Sequence, residues 1–191
     1  AESTSTHPTF RRRQVPLSAV IVARRTPHPV LIGDQEYFDS KEHSARWLID
    51  AFKNEKIVAK SSTLARQELV DVIEKNKNNY DVIIHVLMSK KMSSATFEMA
   101  EQVRKQYENA VKIVNIDTHQ VSNGVGAVLL RLIDELRLAK DLDDFLAKSR
   151  NVVENTFSLF VIADLNYLYR GGRIGRAKAL LGSALRITPL V

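Results

Sequence analysis

Two short, almost uninterrupted apolar runs, Val82–Leu87 and residues 111–116, constrain the fold of this chain more than any other feature. Such runs are expected of strands that are covered on both faces, as the strands of parallel sheets are. Helical stripes with a 3.6-residue period follow them, and the strongest comprises Val125, Val128, Leu129, Leu132, Ile133 and Leu136. This alternation predicts a three-layer α/β domain with a mostly parallel sheet and helices on both faces.

Weaker signals extend the alternation in both directions. Extended segments are predicted at residues 15–22, at 29–38 with a turn at Gly33 and Asp34, at 57–59, and at 159–163 as a last buried strand. Helices are predicted to begin at Asp39 or Ser40, at Ser62 or Thr63, at Ser93 or Ser94, and at Asp141. A final helix carrying Ile174, Ala177, Leu181 and Leu185 is predicted to follow residues 171–173.

Composition narrows the class of protein further. A chain of 191 residues with 45% apolar residues fits one domain with a sizeable core. The lack of cysteine excludes thiolate nucleophiles, Fe–S clusters and cysteine-based zinc sites. The net charge of +6 is local, since much of the excess comes from arginines near the two ends, namely Arg11, Arg12, Arg13, Arg170, Arg173 and Arg176.

The N-terminal segment predicts neither a leader nor an anchor. Residues 1–13 are interpreted as a flexible basic and polar tail without a secretory apolar region, and residues 14–186 as the α/β domain. No stretch approaches the roughly 20 apolar residues of a spanning helix. These features predict a soluble, cytoplasmic protein.

Hydroxyl and cationic side chains follow several of the predicted strands. The loops in question are residues 60–63, 88–94, 117–119 and 164–166. Parallel strands bring their carboxyl ends to one edge, and ligands of open α/β sheets bind there. Hydroxyls and free N–H groups at helix N-termini favour a carboxylate or a phosphate. The alternative is that Ser62, Thr63, Ser93 and Ser94 only cap their helices.

Enzyme motifs are weak in this sequence. Gly124 and Gly126 lack the third glycine of a dinucleotide fingerprint, and neither a Walker lysine motif nor a nucleophile elbow occurs. His85 lies inside an apolar run, as core histidines do, and it is not spaced as a metal ligand relative to His119. We therefore expect no catalytic residue, no metal site and no cofactor.

Four strings taken together resemble the DegV family, whose members include the fatty-acid-binding subunits of bacterial fatty acid kinase. The most specific is residues 160–189, with a Leu-x-x-Gly-Gly-Arg-Ile helix start at 168–174 and Ile-Thr-Pro at 187–189. Residues 89–97 are similar to the family's serine-rich loop. Residues 116–126 are similar to its aspartate-bearing strand end with the following glycines, and 15–17 with 37–39 to its opening.

The resemblance implies a function. In that family an apolar tunnel holds a long acyl chain while hydroxyls hold its carboxylate. A separate kinase subunit of the dihydroxyacetone-kinase-like type then transfers the phosphoryl group from ATP. The chain is therefore expected to bind a long-chain fatty acid and to present it for acyl-phosphate formation without catalysing by itself. The implied carboxylate-binding residues are Lys60, Ser61, Ser93, Ser94, Thr96 and Arg173, and the implied loop-shaping residues are Asp117, Gly171 and Gly172.

The sequence also departs from the family pattern. Lys60 replaces a threonine, and Ser94 with Ala95 replaces Gly-Thr, so either Ala95 or Thr96 stands at the following threonine. The family's opening strand is missing, and residues 187–191 correspond to the start of a second lobe that is otherwise absent. A fragment, a degenerate paralogue and a domain of a larger fusion are the alternatives. Two other function classes also remain open: a stand-alone phosphoryl-transfer or hydrolase enzyme, and a basic interaction module without a lipid ligand.

Overall fold

A computed structural model describes residues 18–22, 29–32, 35–38, 43–54, 59–61, 66–162 and 165–175. Their strands are β1 (Ala19–Val22), β2 (Pro29–Ile32), β3 (Gln35–Phe38), β4 (Ala59–Ser61), β5 (Val82–Leu87) and β6 (Lys112–Asp117). Their helices are α1 (Ala45–Asn54), α2 (Arg66–Asn76), α3 (Ser94–Gln106), α4 (Asn123–Leu138), α5 (Leu142–Glu154) and α6 (Leu165–Arg170). The tail predicted at residues 1–13 and the segment 176–191 lie outside the described residues.

The two apolar runs form the centre and one side of a parallel sheet. Its order is β1-β5-β6, so β5 lies between two parallel partners. The register places Ile84 opposite Ile21 on one side and opposite Val114 on the other. Every residue of β5 except Val86 is buried, as expected for a strand that is covered on both faces.

Alternate residues of this sheet enter two separate cores. Val82 and Ile84 pack with α4 and α5, where Val128, Leu132 and Phe145 are fully buried. On the other face Ile83 and Ile113 pack with residues of α2 and α3. Because strand side chains alternate between faces, one buried strand serves both cores. The predicted three-layer α/β fold is confirmed.

The second sheet is antiparallel, with the order β3-β2-β4. Strands β2 and β3 form the two arms of the predicted extended piece, with Val30 opposite Tyr37. The turn predicted at Gly33 and Asp34 lies outside the described residues. The short strand predicted at 57–59 overlaps β4 only at Ala59, and residues 57–58 lie outside the described residues. Strand β4 pairs antiparallel with β2 and not with the strands of the parallel sheet. The sequence pattern identifies an extended segment but not its partner, and β5 already has a strand on each side.

The prediction of a last buried strand at 159–163 was wrong for residues 159–162, and residue 163 lies outside the described part of the chain. Leu159 and Val161 are 68% and 64% exposed, and Val161 makes only an isolated bridge within the described residues. An apolar run forms a strand only where a neighbouring strand pairs with its backbone groups along its length.

Two helices begin at side-chain caps. The Asp141 carboxylate accepts a 2.8 Å hydrogen bond from the Asp144 amide, so the predicted cap of α5 is confirmed. Helix α1 begins later than predicted, because the Ser44 hydroxyl accepts a 3.3 Å hydrogen bond from the Trp47 amide. The predicted caps at 39–40 and 62–63 lie outside the described residues.

Residues 171–173 end a helix that the sequence analysis did not predict. The Arg173 and Gly172 amides donate to the Leu168 and Tyr169 carbonyls at 2.8 and 3.0 Å, and Gly172 has φ +73°. This is the left-handed closure at which glycine is favoured after a helix. The same residues therefore terminate α6, and the helix predicted after them falls largely on residues from 176 onward, outside the described part.

An aromatic cluster joins α1 to the hairpin of β2 and β3. The ring centroids of Tyr37, His43 and Trp47 lie 4.7 to 5.0 Å from one another. Trp47 is the single tryptophan of the chain, so its fluorescence reports on this region. None of the helices in the described ranges combines the length and the apolar character that crossing a membrane requires.

Candidate functional site

The carboxyl ends of β5 and β6 meet at one edge of the parallel sheet. Leu87 and Asp117 are opposite each other in the register. The Thr118 amide and hydroxyl both donate to the Leu87 carbonyl, at 3.1 and 2.8 Å. Thr118 is fully buried, so this double contact fixes the loop after β6 against the end of β5.

The loop after β5 folds back over this edge. The Ser89 amide donates to the Gln120 carbonyl at 2.8 Å, and the Ser89 carbonyl accepts from the Met92 and Ser93 amides. Ser89 is buried, whereas Lys90 and Lys91 are exposed. The turn therefore places two cations on the outside and directs the chain into α3.

A pair of hydroxyls marks the start of α3. The Ser93 hydroxyl donates to the Thr96 hydroxyl at 2.8 Å, and Thr96 is buried. Ser93 occupies the N-cap position but makes no side-chain hydrogen bond to the helix backbone. The alternative in which Ser93 only caps its helix therefore lacks its defining contact. Free N–H groups and hydroxyls together suit an anion.

Asp117 holds the two loops together. Its Oδ1 accepts from the Lys90 amide at 3.3 Å and from the His119 amide at 3.0 Å. Its buried Oδ2 has no hydrogen-bond donor among the described residues, and His119 Nε2 lies 3.7 Å away. His119 has φ +55°, a conformation that the contact with Asp117 helps to maintain. An anionic ligand would be repelled by Asp117, so the Ser93 and Thr96 side of the edge suits it better.

A buried amide supports the edge from behind. Gln120 Nε2 donates to the Thr156 carbonyl at 2.7 Å, and Gln120 Oε1 accepts from the Ser158 hydroxyl at 2.9 Å. A Cβ at Gly124 would lie 2.3 Å from Ser158 Oγ, so only glycine fits there without a shift. Gln120 was not predicted from the sequence, because its partners are 36 and 38 residues away and no local motif marks them.

The structure brings only part of the predicted site together. Ser93, Thr96 and Asp117 lie at this edge, and Ser94 is exposed at the first position of α3. Lys60 and Ser61 were predicted in a loop after a parallel strand, but they lie inside β4, opposite Leu31 and Val30. The physical reason is that β4 pairs with β2 through these residues. Their side chains are outside the described part of the structure.

Arg173, Gly171 and Gly172 belong to the turn that ends α6. The Arg173 side chain is exposed, and its guanidinium donates to the Gly171 carbonyl. Gly171 and Gly172 shape this turn through their backbone conformation. The described contacts of Arg173 stay within its own turn, so its role towards an anion remains a prediction.

The two histidines singled out in the sequence differ sharply. His85 is buried, and burial lowers its pKa to about 4, against a smaller raising effect of its hydrogen bond to Asn115. The imidazole is therefore neutral near pH 7, as a satisfied core histidine is. His119 is exposed beside Asp117. Across the part of the chain that the structure describes, no three His, Asp or Glu side chains form a group able to hold a metal ion.

Comparison with known proteins assigns the family. The family model described as "Uncharacterised protein, DegV family" matches residues 25–191. The chain belongs to the DegV family. A DegV domain-containing protein of Deinococcus radiodurans is 28% identical over 165 residues, which cover 86% of this chain and 58% of that protein. The chain thus spans somewhat more than half the length of this relative.

Solved DegV structures share the fold. A DegV family protein from Thermus thermophilus, whose structure is described by its fatty acid binding, has a TM-score of 0.74 and 26% identity. The match covers 86% of this chain and 57% of that one. The Streptococcus pneumoniae Fatty Acid Kinase (Fak) B3 protein, loaded with linoleic acid, has a TM-score of 0.68 and 17% identity over 86% of this chain and 58% of that one. At this identity the likeness shows a common fold.

Proposed function

We propose that this chain binds a long-chain fatty acid through its carboxylate and presents it to a separate kinase subunit for acyl-phosphate formation. The observation that carries the proposal is the pair of hydroxyls, Ser93 and Thr96, at the start of α3 in a chain of the DegV family. Helix α3 has no side-chain cap, so the N–H groups of its first turn can bind a ligand. Fatty acid binding by the DegV protein of Thermus thermophilus supports the choice of ligand.

The headgroup chemistry suits the sheet edge. The hydrogen bond between Ser93 and Thr96 uses one of their two hydroxyl protons, so a carboxylate can accept one hydrogen bond from this pair and others from the N–H groups of the first turn of α3. Lys90, whose Nζ lies 5.9 Å from the centroid of the Phe97 ring, places a cation beside that turn. This positive charge offsets the repulsion that Asp117 exerts on an anion. In this proposal Lys60, Ser61 and Arg173 remain predicted contributors to the anion site.

An exposed apolar segment lies next to the same edge. Ser158 bonds Gln120 behind the edge, and its neighbours Phe157 and Leu159 are 79% and 68% exposed. An acyl chain that covers such a surface gains roughly 0.8 kcal/mol for each buried methylene group. This segment is our candidate for the wall along which the tail lies.

Replacing single hydroxyls tests the headgroup assignment. Ser93→Ala is expected to weaken the binding of oleate to delipidated protein by about 1 to 3 kcal/mol, or roughly 5- to 150-fold, measured by calorimetry. Ser149→Ala in α5, which removes a buried hydroxyl that bonds the Phe145 carbonyl, is the matched control and should keep the wild-type affinity. Ser94→Ala then shows whether the adjacent serine also contributes.

The outcome that contradicts the proposal is equally defined. Native mass spectrometry of the purified chain should detect a bound fatty acid. If neither palmitate nor oleate shifts the melting temperature while a phosphorylated metabolite does, the edge binds a different anion.

The partner is tested separately. We expect ADP production from ATP only when the lipid-loaded chain is combined with a kinase subunit of the dihydroxyacetone-kinase-like type. ATP turnover by the chain alone would support the stand-alone enzyme. Binding to an acidic protein or nucleic acid that falls steeply with salt would support the interaction module. A cytoplasmic location is part of this proposal.

A further inference from the structure

A connected chain of four polar side chains crosses from β5 through β6 to α3. Asn115 Oδ1 lies 3.2 Å from His85 Nδ1, and Asn115 Nδ2 donates to Glu101 Oε1 at 2.7 Å. Glu101 Oε2 then accepts from Arg104 Nε at 2.9 Å. His85 and Asn115 are directly opposite in the parallel register. This polar chain therefore links the central strand, the neighbouring strand and one helix.

The direction of each hydrogen bond is determined. Because the Asn115 amide nitrogen donates to Glu101, the Asn115 oxygen faces His85, and His85 Nδ1 must carry the proton that it donates. Burial raises the pKa of Glu101, but the hydrogen bonds from Asn115 and Arg104 outweigh burial and hold this pKa below its ordinary value. Glu101 is therefore ionised near pH 7 and accepts from both partners.

Contacts of two kinds hold α3 against the sheet. Val103 is buried in one apolar cluster with Ile83 and Ile113, and hydrophobic burial is not directional. The bond from Asn115 to Glu101 is directional and short. Glu101 lies five residues after Thr96 on the same rigid helix, so its attachment to β6 also sets the height of the first turn.

We propose that Asn115 and Glu101 are positioning residues, which lock α3 to β6 and thereby hold the Ser93 and Thr96 hydroxyls at the sheet edge in the geometry that a carboxylate needs. The inference rests on the proposed function for its ligand. His85 orients the Asn115 amide, and Arg104 orients the Glu101 carboxylate. None of these four side chains needs to touch the ligand.

The first test separates headgroup positioning from general binding. In the full chain, Asn115→Leu and Glu101→Ala should lower the ratio of affinities for oleate and oleyl alcohol at least 10-fold, because the tail contacts persist while the carboxylate contacts are lost. Glu101→Gln keeps an oxygen that can accept from Asn115 and should restore most of that ratio. If Asn115→Leu does not fold, Glu101→Ala still tests the proposal, because alanine favours the helix in which residue 101 lies.

The matched control lies at the other end of the same helix. Tyr107, the C-cap of α3, donates a 2.6 Å hydrogen bond to Glu74 of α2, so Tyr107→Phe removes a comparable polar contact away from the edge. It should leave the affinity ratio unchanged. If it lowers the ratio as much as Asn115→Leu does, the effect reflects general loosening and the proposal is overturned.

A measurement without ligand distinguishes failure of the positioning role from failure of the proposed fatty acid binding. The NMR signal of the Thr96 methyl group should shift in Asn115→Leu and Glu101→Ala but not in Tyr107→Phe. If the wild-type chain binds neither lipid, the proposed function fails, and the Thr96 shift alone decides the positioning role. If the Thr96 signal is unchanged in both Asn115→Leu and Glu101→Ala, the positioning role is overturned, whichever ligand the chain binds.

Discussion

The two faces of the parallel sheet are built differently. On one face α4 and α5 pack through apolar side chains, and the buried Ser149 satisfies its hydroxyl by bonding the Phe145 carbonyl within its own helix. On the other face an apolar cluster of α2 and α3 lies beside the polar chain of Asn115 and Glu101. The comparison shows that the first face relies mainly on apolar packing, while the second adds a directional hydrogen bond between β6 and α3, to which we assign the proposed positioning role.

The largest effect is expected on the face that α4 and α5 cover. Phe145→Ala removes a fully buried ring and should lower the free energy of unfolding by about 3 to 5 kcal/mol, measured by urea denaturation followed by circular dichroism. The Phe145→Ala chain that remains folded without denaturant should keep the wild-type preference for oleate over oleyl alcohol. A loss of that preference at low denaturant would show that this face also positions the edge.

Acid should act on the other face through His85. Its pKa is about 4 in the folded chain against 6.5 when solvated, so between these values the unfolded chain binds a proton that the folded chain does not. Stability is therefore lost as the pH falls from 6.5 to 4, by about 3 kcal/mol at 1.36 kcal/mol per unit.

Urea denaturation at several pH values measures this loss. His85→Asn should flatten the stability profile between pH 6.5 and 4, whereas His119→Asn, at an exposed position, should leave it steep. The stability that Glu101 contributes through its lowered pKa is present above its ordinary value of 4.5 and is lost as the pH falls below that value, so it changes little over most of the range from pH 6.5 to 4. An unchanged profile in His85→Asn would contradict the assignment.

Two glycines near the start of α4, on the first face, offer a matched pair. Gly124→Ala should cost about 1 to 3 kcal/mol, because the new methyl group would displace Ser158 and Gln120 from their hydrogen bond. Gly126→Ala meets no atom within 4 Å and should stabilise the chain by about 0.5 to 1 kcal/mol through helix propensity. Thermal melts of the two variants check the expected difference in sign, and equal effects would contradict it.

The smallest expected effect concerns the cap of α5 on the apolar face. Asp141→Ala removes the acceptor for the Asp144 amide and should cost about 1 kcal/mol of stability. Asp143→Ala, in the first turn of the same helix, is the control that retains the cap. Comparable losses in both variants would point to helix charge instead of capping.

Local sequence patterns predicted the parts of the fold that depend on neighbouring residues. The run at Val82–Leu87 predicted a strand covered on both faces, and Asp141 predicted the start of α5. The run at 159–163 was equally apolar, yet Leu159, Phe160 and Val161 are exposed, because a strand also needs a paired neighbour. The site followed the same division: Ser93 and Thr96 are near in sequence, whereas Gln120 meets Ser158 only through the fold.

By itself, the sequence determined the alternation of strands and helices, the DegV resemblance and the hydroxyl-bearing loop before α3. These depend on side-chain periodicity and short-range spacing, which the order of residues contains directly. Only the tertiary structure decided that β4 pairs with β2, that 171–173 closes α6, and that Asn115 bonds Glu101 across 14 residues. The physical reason is that hydrogen bonds between segments distant in sequence form only when packing brings those segments into contact.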